Sequence, residues 1–131
     1  MMEVVVARSE QFTQQEAEVL LHRLDTGCIT EALLDDPEYD DLTEAEWETA
    51  RERLLACEAK LADMLRGGHR ITNDDELLMV VLADALEGTT YFPPLRNLHP
   101  DEKRTTLALS RSLERKISRL VGRQVRSPLE S

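Results

Sequence analysis

Aromatic side chains are scarce in this chain of 131 residues, which has one Trp, two Tyr and two Phe. A core with so few rings must be filled by Leu, Val, Ala and Met, and such residues favour packed helices over β-sandwiches. Cysteine is rarer still. Cys28 and Cys57 stand apart with no CxxC pair and no Cys/His ladder, which argues against a disulfide framework or a zinc motif. His22, His69 and His99 are scattered and have no ligand-spaced neighbour, so neither a metal nor a cofactor is expected. Long apolar runs are missing too. The longest, Leu77 to Ala83, has seven residues, against about 18 needed to span a bilayer. Near the start, Glu3 occupies ground where a secretory signal carries basic residues, and the run Val4 to Ala7 is too short for its apolar segment. The expectation is a cytoplasmic protein that crosses no membrane.

Catalytic signatures are absent as well. There is no GxSxG elbow, no phosphate-binding lysine loop, no HExxH and no glycine-rich turn following a strand. The acids from Asp35 to Asp41 do not make a calcium loop, because glycine is missing at the sixth position and Pro37 interrupts. The chain is therefore expected not to be an enzyme.

What the sequence does contain is helix punctuation. Thr43 precedes Glu46 by three residues, the spacing of a reciprocal capping box, and Leu42 and Trp47 flank it as a hydrophobic staple. Behind that cap, Trp47, Ala50, Leu54, Cys57, Leu61 and Met64 recur at steps of three and four, which predicts a helix over 43–66 stopped by Gly67 and Gly68. Thr13 and Glu16 repeat the box ahead of a helix over 13–25, and Asn73 with Glu76 offers a third ahead of a helix over 73–87. Pro100 suits the first position of a last helix over 100–121, with Gly122 as its stop. A short turn of helix is expected at 29–35, ended by Pro37. The predicted fold is all-α: a single-domain helical bundle (13–122) of four main helices plus one short helix. An extended N-terminal arm (1–12) precedes it and a frayed polar tail (123–131) follows. Leu77, Leu78, Val81, Leu82 and Leu86 make the expected central core, with Trp47 and Leu54 packed on it.

The charge, −10 overall, is unevenly placed. Residues 1–99 hold 22 acids and 8 bases, whereas residues 100–131 hold 4 acids and 8 bases. Between Glu31 and Glu48 nine carboxylates occur without one Lys or Arg. Such a run repels itself unless a cation screens it, so Asp35, Asp36, Glu38, Asp40, Asp41, Glu44 and Glu48 are candidate partner-binding residues. The corresponding function is a non-catalytic protein-interaction or regulatory module that docks a basic protein, with the acidic surface imitating a nucleic acid. The cation could also be internal, if the basic last helix of the same subunit or of a homodimer mate lay across the acidic run. The alternative function rests on Arg111, Arg115, Lys116, Arg119 and Arg123, a basic row that could neutralise nucleic-acid phosphates. The acidic remainder repels those phosphates and makes nucleic acid the lesser expectation.

Overall fold

The computed structural model describes residues 7–26 and 29–130. The valine-rich stretch before Ala7 and Cys28 lie outside the described residues. The fold is an all-α helical bundle built from α1 (Gln14–Thr26), α2 (Ile29–Leu34), α3 (Glu44–Arg66), α4 (Glu76–Glu87) and α5 (Pro100–Val121). Single turns of 3-10 helix at Pro37–Tyr39 and Leu95–Asn97 shape two of the connections. Among the described residues no helix is long and apolar enough to cross a membrane.

The helix α4 is the axis, with α1, α3 and α5 packed around it and α2 laid on α3. Its sequence explains that position. Leu78, Val81, Leu82, Ala85 and Leu86 are all fully or almost fully buried, and Met79 and Ala83 extend the apolar surface round the helix. A helix apolar on nearly every side is stable only when other helices cover it. Leu54, Leu61 and Leu65 of α3, Val19 and Leu20 of α1, and Leu113, Ile117 and Leu120 of α5 complete the core. Trp47 and Leu77 pack against its edge, half-buried.

Two of the three expected capping boxes form. The Thr13 amide donates to Glu16 Oε1 at 2.8 Å and the Glu16 amide to Thr13 Oγ1 at 3.2 Å. Thr43 and Glu46 exchange the same two bonds at the head of α3. At the tail of α3, Gly68 is the residue with positive φ, +66°. The His69 amide reaches back to the Met64 carbonyl and the Gly68 amide to that of Leu65, which satisfies two carbonyls of the last turn.

The third box is corrected by the structure. Asp75, not Asn73, caps α4, accepting from the Leu78 amide at 3.1 Å. Asn73 is held elsewhere: its Oδ1 accepts from the Arg8 amide at 2.9 Å and its own amide donates to the Arg8 carbonyl. Those bonds extend a two-residue antiparallel pairing of β1 (Ser9–Glu10) with β2 (Ile71–Thr72). The residues just before the first helix are thus tied down, and Phe12 is buried.

The tail is likewise docked, not frayed. Val125 is 1% exposed, and Ser118 exchanges hydrogen bonds with its amide and carbonyl. The Ser127 amide donates to Glu114, its hydroxyl meets that of Ser110, and the Glu130 carbonyl accepts from the Leu95 amide.

Candidate functional site

Among the described residues no three of His, Cys, Asp and Glu gather as a metal site. His22 pairs with the Thr90 hydroxyl at 3.1 Å and meets the edge of Tyr91. His69 belongs to the α3 terminus, and His99 opens α5 by donating its amide to Glu102. Burial, with the Asp75 charge nearby, pushes the Cys57 thiol up to about 11, so it stays protonated at neutral pH.

The acidic segment is different, because the fold leaves it open. Asp35, Asp36, Glu38, Asp40, Asp41, Glu44 and Glu48 are all exposed, and among the described residues none of the seven forms an ion pair. Only Glu31 of the run is neutralised, by Arg51 at 3.1 Å. Pro37 and the Asp36 cap on the Glu38 amide set the short turn that places Tyr39 between two clefts. One cleft, about 710 Å³, has Leu33, Tyr39, Leu77 and Val80 in its lining. Asp36 and Glu38 from the short turn and Asp74, Asp75 and Glu76 from the head of α4 share that lining with two cations, Arg53 and Lys60, and Lys60 pairs with Asp75 at 3.8 Å. The second cleft, about 460 Å³, continues past Tyr39 and Arg53 along Leu42, Ala45, Glu46 and Ala50. No family model, curated protein or solved structure matches this chain.

Of the seven predicted carboxylates, Asp36 and Glu38 line the cleft, while Asp35, Asp40, Asp41, Glu44 and Glu48 lie outside both clefts. Sequence reasoning missed the acids at the head of α4. Glu76 reads from the sequence as a capping-box partner, and nothing in the spacing of Asp74, Asp75 and Glu76 relative to Asp36 reveals that they share a cleft. It also missed Val80, an apolar residue 46% exposed on a helix whose other apolar residues are buried or half-buried.

The predicted basic row divides by burial. Lys116 turns inward, where its amine binds the buried Glu16 at 2.6 Å and the Gln11 carbonyl at 2.9 Å. Arg119 pairs with Glu10 and Arg123 with Glu87, each at 2.9 Å. Arg111 and Arg115 are exposed and make no ion pair among the described residues. The paired cations of this row therefore meet Glu10, Glu16 and Glu87, not the acidic segment, which keeps its charge open to another molecule. Arg8 and Arg126, neither of them in the predicted row, join Arg115, Arg119 and Arg123 around a separate cleft of about 630 Å³.

Proposed function

We propose that this protein is a non-catalytic interaction or regulatory module whose acidic, Tyr39-centred face docks a basic partner protein. The observation that carries this reading is the lining of the cleft, where apolar Leu33, Tyr39, Leu77 and Val80 occur with five carboxylates against two cations, Arg53 and Lys60. Protein interfaces commonly combine an apolar centre, where water is excluded, with a polar rim that steers and selects the partner. The rim here is acidic, so the complementary surface carries Lys or Arg around apolar side chains. A basic amphipathic helix has that pattern.

A homodimer in which the α5 arginines of each copy meet the acidic face of the other is the self-complementary form of the same proposal. A cytoplasmic location is part of it as well, in keeping with two cysteines that stand apart in the sequence.

The test is affinity capture from cell extract, followed by titration of the purified partner against variants. Binding should be lost in the double variant Glu38→Lys/Asp40→Lys and in Val80→Glu, and kept in Arg111→Ala, with melting temperatures unchanged in all three. A partner that binds the charge-reversed and Val80→Glu proteins as tightly as the wild type would sink the acidic-face reading.

A further inference from the structure

The cleft at the end of α5 shares no lining residue with the acidic cleft, and its composition is unusual for a chain of net charge −10. Five arginines line it. Arg115 comes from the body of α5, Arg119 from its last turn, Arg123 and Arg126 from the tail, and Arg8 from the segment before β1. The docked tail is what closes the arrangement, since burial of Val125 against Ser118 brings the chain back beside the helix.

The surrounding acids do not neutralise this cluster. Glu10 and Glu87 answer Arg119 and Arg123. Glu114, the only acid in the lining among the described residues, accepts from the Ser127 amide. Arg8 uses one guanidinium nitrogen on the Arg119 carbonyl, a contact that fixes its position without offsetting its charge. Arg115 and Arg126 have no ion pair among the described residues. Counting all three glutamates, the site retains two positive charges, held by guanidinium groups that offer paired donors to phosphate oxygens.

We infer that this cleft binds a compact anion carrying several phosphate groups, such as the triphosphate of a nucleotide or free inorganic polyphosphate. Size and surroundings favour a small ligand over a strand. A volume of about 630 Å³ falls within the usual range for small-molecule sites. No aromatic ring lines the cleft on which a base could stack, and a longer nucleic acid would soon leave it for an acidic surface. That acidity does not forbid local binding, because at about 0.1 M salt charges are screened beyond roughly 10 Å.

Isothermal titration with inorganic tripolyphosphate, ATP and a mixed-sequence single-stranded oligonucleotide tests the proposal, at about 50 and 200 mM salt. Tripolyphosphate should bind saturably with a Kd below about 0.1 mM at the lower salt. ATP should bind about as tightly, since phosphate alone is read. Arg115→Ala and Arg126→Ala should each weaken tripolyphosphate about tenfold, while Arg111→Ala, on the same helix but outside the cleft, should leave it unchanged. Absence of saturable tripolyphosphate binding would overturn the inference, as would equal weakening by Arg111→Ala. Oligonucleotide binding that excess tripolyphosphate fails to displace would overturn it in favour of a strand.

Discussion

Lys116 Nζ stands 2.6 Å from Glu16 Oε1, joining α5 to α1 across a hundred residues of sequence. Glu16 is 1% exposed, and all its acceptor needs are met: Lys116 and the Thr13 amide bind Oε1, and the Ser112 hydroxyl binds Oε2 at 2.6 Å. The Lys116 amine also lies over the Phe12 ring, 5.7 Å from its centroid. Burial by itself would raise the Glu16 carboxyl, but the bonds from Lys116, Ser112 and Thr13 outweigh it and hold the group below 4.5.

A depressed carboxylate contributes stability above its unfolded pKa, and that contribution is lost as pH falls through the folded value. Wild-type stability in urea should therefore fall on acidification below about 4.5. Lys116→Met leaves a buried carboxylate without its cation, at a cost of about 3 kcal/mol at neutral pH. In that variant desolvation prevails and the Glu16 carboxyl rises above its unfolded value. The sign then reverses, with stability present at low pH and lost as pH increases. Urea titrations of both proteins from about pH 2.5 to 8 check this, and parallel pH profiles would refute it.

Glu16 also shows how far the sequence could be read. Its local role, the reciprocal cap with Thr13, follows from a three-residue spacing and is legible without a structure. Its second role depends on which residue of α5 faces α1, and no local pattern encodes a contact over a hundred positions. Lys116 consequently reads as one more cation of the exposed row. The same limit applies to both clefts. The acidic run is evident in the sequence, but the meeting of Asp36 and Glu38 with Asp74, Asp75 and Glu76 is set by the packing of α3 against α4. Arg8 enters the arginine cleft through β1 pairing, from a segment whose two paired residues carry almost no strand signal.

The choice of cap for α4 gives a second prediction. Asn73 and Asp75 are both good capping residues, and spacing to Glu76 favours Asn73. Backbone pairing with Arg8 holds Asn73 in the strand extension, so Asp75 takes the role. Asp75→Ala should cost about 1 kcal/mol. Asn73→Ala should instead loosen the strand pairing, seen as faster amide exchange at Arg8 with the Leu78 amide still protected. Loss of protection at Leu78 in the Asn73 variant would reassign the cap.

The docked tail supplies a third. Val125 is fully enclosed although it follows the helix-ending Gly122, whose φ of +81° turns the chain back. A lone valine in a polar tail gives no periodic signal, which is why this segment reads as frayed. Val125→Ala should cost about 2 kcal/mol and, by releasing Arg126, weaken any anion held in the arginine cleft. A variant with wild-type stability would show that the tail is not anchored there.

The sharpest division between folding and function runs between opposite faces of a single turn of α4. Leu82 is wholly buried between its neighbouring helices, whereas Val80 faces the acidic cleft with nearly half its surface open. Leu82→Ala should destabilise by about 3 kcal/mol through lost burial and the cavity left behind. Val80→Ala removes little buried surface and exchanges a β-branched residue for a better helix former, so its stability should change by less than about 0.5 kcal/mol. A residue that contributes nothing to folding yet stays apolar on a charged face is consistent with a role in binding. Urea denaturation of the two variants, beside partner titration of the same proteins, separates the effects. A large stability loss at Val80 would make it a core residue and remove the apolar centre from the proposed docking face.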